Sequence, residues 1–463
     1  MKRVAVVGAG LAGLSAVRAL RANGFTGEVV VVGAERHRPY DRPPLSKDFL
    51  GGTGEPGDLS LEKPAEDLAA TWLLGDPAVA LDPGGLLTLQ SGRTVPADGF
   101  VIAAGARART LPGSTHLSGV HTLRTLDDAI ALRADLASAR RLVVVGAGFI
   151  GAEVASTARG LDRRLDITVV EALAAPLASP LGDAMGAVVA ALHENHGVRL
   201  LRGRGVAGLE PGVASLDLGP AHGVVGVEPG VAGLDPGPAP GVVAVGPGMA
   251  GLERSLRGDR NPGLDLNSAG RHRVTGVRLA DGTLLPADLV VVGIGAVPAL
   301  DWVAGSGLVL DASGGIRCGA DGGTGVANVV AVGDCAAWFE PRLGRHVRVE
   351  HWTSAAERAR TAARTLLGLP AAPARQPYFW SDQYGARIQF VGHALAGDEV
   401  TVELGDPGEH RFLAVYRRAG LPVAVLAVDL VGPFATWRRH LETPPRPGAD
   451  DRPGLRDRPS PRS

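Results

Sequence analysis

The stretch Val4–Gly13, reading VAVVGAGLAG, restricts the fold more than any other part of the chain. Its apolar run suits a buried strand, and Leu14–Ala22 behind it suits a helix. Between them Gly8, Gly10 and Gly13 stand at G-x-G-x-x-G spacing. The first glycine of such a turn allows a tight bend. The second lets a pyrophosphate approach the backbone, and the third lets helix and strand pack closely. The helix N-terminus adds free N–H groups and a partial positive charge for phosphate. A second strand, Glu28–Val32, ends just before Glu35, an acid placed to hold a ribose hydroxyl. The spacing therefore predicts an α/β unit that binds a dinucleotide.

The pattern recurs. Strand Leu142–Val145 runs into Gly146, Gly148 and Gly151 at the same spacing, with helix Phe149–Arg159 behind. Strand Ile167–Val170 then leads to Glu171, 20 residues past Gly151. Two such fingerprints imply two dinucleotides with electrons passing between them, and flavin with nicotinamide is the natural pair. Glu171 favours a free 2′-hydroxyl, and Ala172–Pro176 contains no arginine for a 2′-phosphate, so NAD(H) is expected.

Other residues carry two readings each. Pro39, Pro43 and Pro44 stiffen a loop bearing Arg42 and Lys47, which serve as cationic contacts to a cofactor or as ordinary surface charges. Glu153 either complements the dipole of the second helix or sits at a nicotinamide–flavin junction. Strand Phe100–Ala103 ends in small residues that let the backbone approach a cofactor or merely turn. Strand Val329–Val332 leads to Asp334, suited to a ribityl hydroxyl, a phosphate or a helix cap. Trp352, ahead of helix Ser354–Leu367, reads as core or as a cofactor contact. Tyr378–Gly392 and Glu399–Asp429 alternate like strands of a third, α+β unit that helix Phe434–Leu441 follows.

With 463 residues and 45% apolar content, the chain reads as a soluble globular protein of several domains. A net charge of −1 argues against a nucleic-acid binder. Cys318 and Cys335 form neither a C-x-x-C pair nor a disulfide framework. No membrane-length apolar run is present, and the first strand begins at residue 3, which leaves no room for a signal peptide. A cytoplasmic location is expected. Residues 205–258 form three 18-residue units, of which the first two match at 13 positions and the last two at 9. Their glycine and proline content disfavours helices and long strands; three units could extend a β-hairpin or form a short stacked coil, but a loop enlarged by duplication is expected.

The combination resembles the FAD-dependent pyridine nucleotide-disulfide oxidoreductases, and within them the NADH–ferredoxin reductases that serve cytochrome P450s and ring-hydroxylating dioxygenases. The stretches that carry it are VAVVGAGLAGLSA, PYDRPPLSK, TLRTLDDA, VVVGAGFIGAEVA, GIGAVP, AVGDCA, VEHWTSAAERAR and WSDQYGARIQFVG. They run from residue 2 to about 441, apart from the repeats.

The resemblance implies an α/β fold with two Rossmann-like dinucleotide-binding domains and a C-terminal α+β domain. The FAD domain would span 1–112 and 299–375, the NAD domain 113–298 with the insert 205–258, the C-terminal domain 376–442 and a disordered tail 443–463. Ala12, Glu35, Arg42, Lys47, Ala78 through its main chain, Arg124, Asp334 and Trp352 would contact FAD beside Gly8, Gly10 and Gly13. Ile150, Glu153, Glu171 and Gly295 would line the NADH side with Gly146, Gly148 and Gly151. Lys47 and Glu153 would meet near flavin N5 and act there, with no metal required. AAGAR at 103–107 departs from the threonine-glycine pair usual in the family.

The implied partner is an acidic [2Fe-2S] ferredoxin, for which Arg358, Arg360, Arg438 and Arg439 offer a basic dock. Rubredoxin or another carrier, or a slow NADH-sensing flavoprotein, are the alternatives. A disulfide or peroxide reductase would need a cysteine within 8–60, and there is none.

Overall fold

A computed structural model describes residues 1–82, 84–212, 272–373 and 375–442. Two parallel five-stranded sheets dominate it. In the first, Arg3–Val7 lies at the centre between Gly99–Ile102 and Glu28–Gly33, flanked by Val329–Ala331 and Ala70–Leu74. Val4, Val6, Val29, Val31 and Val101 are fully buried, as expected of strands covered on both faces. In the second sheet Arg141–Val145 takes the central place, between Asp166–Glu171 and Leu289–Val292. Arg199–Arg202 and Val120–His121 form its edges.

The helix of the first turn, Leu11–Ala22, packs against Trp352–Leu366. Alanines of both helices are buried in one core: Ala12, Ala16 and Ala19 of the first, Ala355, Ala359, Ala362 and Ala363 of the second. Both helices start earlier than the sequence pattern suggests. Gly10 and His351 cap them with extended backbone, so the first turn in each case uses residues that carry no apolar periodicity.

The third sheet is antiparallel, in the order Tyr378–Gln383, Ala386–Gly392, Leu421–Val428, Arg411–Arg418, Glu399–Asp406. Its own helix, Val431–Glu442, covers one face through Phe434, Trp437 and Leu441. The other face packs on Ala178–Asn195, a helix of the second unit kinked at Gly182, through Leu181, Met185 and Leu192. The third unit thus closes over the second.

Strand formation inside the first repeat unit corrects one expectation. Val206–Gly212 pairs antiparallel with Arg273–Leu279 despite its glycines and proline. It is an edge strand, and the register shifts between Glu210 and Pro211, the position where a missing N–H is tolerated. The rest of the repeat region, 213–258, and the tail 443–463 lie outside the described residues.

Candidate functional site

The glycine turns repeat each other in detail. A Cβ on Gly8 would sit 2.0 Å from Ala103 O, and one on Gly146 2.4 Å from Gly293 O. A Cβ on Gly13 would sit 1.9 Å from Gly8 O, and one on Gly151 2.0 Å from Gly146 O. Packing therefore demands glycine at the first and third positions. It does not demand Gly10, whose Cβ would meet nothing within 4 Å and whose φ of −92° suits any residue. What Gly10 leaves open is space above the N-terminus of Leu11–Ala22, the cradle that a diphosphate takes.

A cleft of about 670 Å³ opens there and runs across the molecule. It brings together Gly8, Gly10, Ala12, Glu35, Arg42, Lys47, Ala78, Arg124, Asp334 and Trp352, together with Ile150 and Glu153 from the helix of the second turn. Gly13 lies beneath it as packing. Gly146, Gly148, Gly151, Glu171 and Gly295 do not line this cleft and belong to the second turn. There Glu171 accepts backbone N–H bonds from Ala147 at 2.7 Å and Leu173 at 2.8 Å. Gly295, at φ +92°, lies just beyond Gly293, the residue that crosses Gly146.

Charge in the cleft is paired both locally and across long sequence distances. Glu35 meets the Arg42 guanidinium at 2.6 Å and accepts the Tyr40 hydroxyl. Tyr40 Oη in turn accepts Leu126 N–H at 2.9 Å. Arg124 pairs with Asp334 at 2.6 Å and donates to Ala106 O at 3.0 Å. Trp352 Nε1 donates to Asp41 at 2.7 Å, yet burial pushes the Asp41 carboxyl above its ordinary value.

At the far end Lys47 Nζ lies 2.7 Å from Glu153 Oε2. The two side chains are 15% and 4% exposed, so this is a nearly dry ion pair. The loop that carries Lys47 turns once as a 3-10 helix, Pro43–Ser46. Thr157, one turn beyond Glu153, donates to Ser46 O at 2.7 Å and fixes that loop on the helix.

Sequence reasoning missed two residues here. Ser46 Oγ donates to Glu153 Oε2 at 2.5 Å and Ser381 Oγ to Oε1 at 2.6 Å. Both lie inside the motifs PYDRPPLSK and WSDQYGARIQFVG, but a serine gives no spacing signal of its own. Aromatic walls were missed as well: Phe149, Phe379 and Trp380 line the cleft, with Phe149 and Phe379 centroids 4.6 Å apart.

The basic dock is corrected in part. Arg358 lies over the Trp338 ring at 5.0 Å, and burial pulls its guanidinium down to about 10, so it serves packing rather than a surface. Arg438 stacks on Tyr378 at 4.4 Å. Arg360 and Arg439 are exposed. Both cysteines are free and buried, and burial pushes the Cys335 thiol up to about 11 and the Cys318 thiol up as well. Neither is suited to thiolate chemistry. No helix among the described residues is long and apolar enough to cross a membrane.

Comparisons with known proteins agree with this geometry. The pyridine nucleotide-disulphide oxidoreductase family matches residues 2–217 and 264–359, and the reductase C-terminal family matches 378–453. The intervening 218–263, most of it repeat sequence, falls outside the match. The 5,5′-dehydrodivanillate O-demethylase ferredoxin reductase subunit of Sphingobium sp. is 35% identical over 94% of this chain and 91% of its own. Putidaredoxin reductase of Pseudomonas putida is 31% identical over 92% of this chain and 88% of its own. Among solved structures, the covalent putidaredoxin reductase–putidaredoxin complex matches with a TM-score of 0.79 at 29% identity, across 95% of this chain and 93% of that one. With both nucleotide turns in place and nearly the full length of such reductases matched, the chain belongs to the pyridine nucleotide-disulphide oxidoreductase family, among its ferredoxin reductases.

Proposed function

We propose that this protein passes electrons from NADH through FAD to a [2Fe-2S] ferredoxin that serves a cytochrome P450 or a ring-hydroxylating dioxygenase. The Lys47–Glu153 pair carries the reading. Lys47 comes from the loop beside the first nucleotide turn and Glu153 from the helix behind the second, so nucleotides on the two turns converge at one place. The relatives support the partner: one is the ferredoxin reductase subunit of a demethylase, and another is solved in complex with putidaredoxin.

FAD fits the cleft because Gly10 leaves room that the protein itself does not use. The chemistry it supplies when bound is acceptance of hydride from NADH and release of electrons one at a time. The chain's own work is to bind and orient. Gly8, Gly10, Ala12 and the start of Leu11–Ala22 hold the diphosphate, and Glu35 with Arg42 holds the ribose end. Ala78 contributes main chain, while Arg124, Asp334 and Trp352 close the flavin side. Gly146, Gly148, Gly151, Ile150, Glu171 and Gly295 seat NADH. Lys47 and Glu153 would fix charge where flavin and nicotinamide are brought together, and so help to orient them. We divide the chain accordingly into an FAD domain (1–112 and 299–375), an NAD domain (113–298) and a C-terminal domain (376–442). A cytoplasmic location suits this role.

Anaerobic stopped-flow tests the reading. NADH should bleach the flavin rapidly and outpace NADPH, and a small [2Fe-2S] ferredoxin should then reoxidise it quickly. Bleaching without ferredoxin reduction would move the partner to rubredoxin or another carrier. Flavin that stays oxidised for minutes would replace the reductase with a sensor.

A further inference from the structure

We infer that Ser381 of the C-terminal sheet is a positioning residue for hydride transfer, holding the Glu153 carboxylate in place. The inference rests on the role given to Glu153 above. Paired with Lys47, the Glu153 carboxylate has only acceptors to offer. Three donors converge on it from two other parts of the chain. Lys47 Nζ and Ser46 Oγ reach Oε2 from the proline-rich loop, at 2.7 and 2.5 Å. Among the described residues Ser381 Oγ alone reaches Oε1, at 2.6 Å. Without it that oxygen would have no anchor, and the carboxylate could rotate about its stem.

Ser381 is itself oriented. It is fully buried, and its one hydroxyl proton goes to Glu153. Its lone pair accepts Gln383 Nε2–H at 3.0 Å, from a side chain only 1% exposed. The strand carrying both residues is pinned at its end. Tyr384 adopts a left-handed φ of 52° ahead of Gly385 at φ 82°, a two-residue hairpin turn that disfavours tyrosine. The turn is held on the second unit. Tyr384 N–H donates to Ser156 Oγ at 2.6 Å, and its hydroxyl meets His193 Nδ1 at 2.7 Å. Ser156 and Glu153 are neighbours on one helix face, three residues apart. The strained turn therefore sets the height of Ser381 above Glu153, and the constellation is incomplete without the C-terminal domain.

The test is anaerobic single-turnover reduction of the FAD-loaded full-length protein by NADH, in Ser381→Ala, Ser381→Thr, Glu153→Gln and the double variant Ser381→Ala/Glu153→Gln. Ser381→Ala is expected to slow the limiting rate of flavin reduction about tenfold, the loss of one hydrogen bond to a charged group. Reduction by dithionite, which needs no nicotinamide, should be unchanged. Ser381→Thr keeps the donor and should stay within about twofold of the native rate. The double variant should be no slower than Glu153→Gln, because both act through one carboxylate. A Ser381→Ala protein with a lower Tm but a native NADH rate overturns the proposal. If Glu153→Gln itself reduces at the native rate, the role of Glu153 fails first and takes this one with it. Should Ser381→Ala not retain flavin, Ser381→Cys, a weaker donor in the same place, decides by the same rate: slowing supports the proposal and a native rate overturns it.

Discussion

The two nucleotide-binding units share a backbone and part company at one acid. In both, the first and third glycines are imposed by carbonyls within 2.4 Å of where a Cβ would stand, whereas a Cβ on Gly10 would meet nothing within 4 Å and one on Gly148 only an ordinary contact with Gly293 O at 3.9 Å. Beyond the second strand the likeness ends. Glu35 is neutralised by Arg42 at 2.6 Å and receives the Tyr40 hydroxyl. Glu171 is held by two backbone N–H groups, and among the described residues no cation pairs with it. The glycine turn thus fixes where a diphosphate lies, and the side chains after the second strand decide which nucleotide it belongs to.

The sharpest way to break this comparison is to treat the three glycines as equivalent. Gly13→Ala would press a methyl into Gly8 O, and should lower stability by at least about 3 kcal/mol and abolish FAD retention. Gly10→Ala should leave apo-protein stability within about 1 kcal/mol and still weaken FAD binding. Thermal melts of apo and FAD-loaded protein separate the two. Equal loss of stability in both variants would mean that Gly10 serves packing, and the case for a ligand cradle would fail.

The next largest effect concerns the pair that joins the units. Lys47→Met leaves the Glu153 carboxylate, 4% exposed, with only its serine donors. Removing one partner of a buried pair costs about 3 kcal/mol. Urea unfolding should register that loss, and flavin reduction by NADH should slow with it. A variant as stable as the native protein would show that the pair is solvated in solution.

Acid should act on both units, through a buried histidine in each. The outer helix of the second unit carries His193, 1% exposed, and burial pulls its imidazole down from 6.5 to about 4. On the first unit His351, the residue that caps Trp352–Leu366, is likewise pulled down to about 4 by burial. Because the folded value is the lower one, neutral His193 supports the fold fully above about pH 6.5, and that support is lost as pH falls toward 4. The loss between pH 7 and 5 is about 2 kcal/mol. His193→Gln should flatten the fall in unfolding midpoint over that range. An unchanged slope would assign the acid sensitivity elsewhere, with His351, also pulled down to about 4 by burial, the next residue to replace.

Sequence reading found what backbone chemistry announces. Both glycine turns, the strands on either side and the acids Glu35 and Glu171 were legible, because only a few residue types satisfy the φ angles and close contacts of such a turn. Lys47 and Glu153 needed the resemblance to bring them together, since 106 residues separate them and neither has a distinctive neighbour. Ser46, Ser381 and Tyr40 were not legible as site residues. Their role is to satisfy a charge that another part of the chain buries, and nothing local marks a hydroxyl for that task. For Val206–Gly212 the glycines and proline set a loop ahead of a hairpin extension, yet an edge position and a register shift accommodate them in a strand. Arg358 misled because charge in a sequence reads as surface, whereas its guanidinium lies over Trp338.

The smallest effect is the one that separates the two acids by function. Glu171→Ala removes the group that Ala147 and Leu173 N–H hold in place, and with it the acceptor for a ribose 2′-hydroxyl. KM for NADH should rise about tenfold, while KM for NADPH changes less, because a 2′-phosphate no longer meets a carboxylate. Discrimination between the two should therefore shrink by a similar factor, with FAD retained. Glu35→Ala should do the reverse: FAD retention falls, because Arg42 loses its partner and the ribose its acceptor, and the holoprotein that remains keeps its preference for NADH. Steady-state kinetics with both nucleotides, normalised to bound flavin, reads the two variants on one scale. If Glu171→Ala loses flavin, or Glu35→Ala loses nucleotide preference, the two acids do not address separate nucleotides and the division of labour between the units falls.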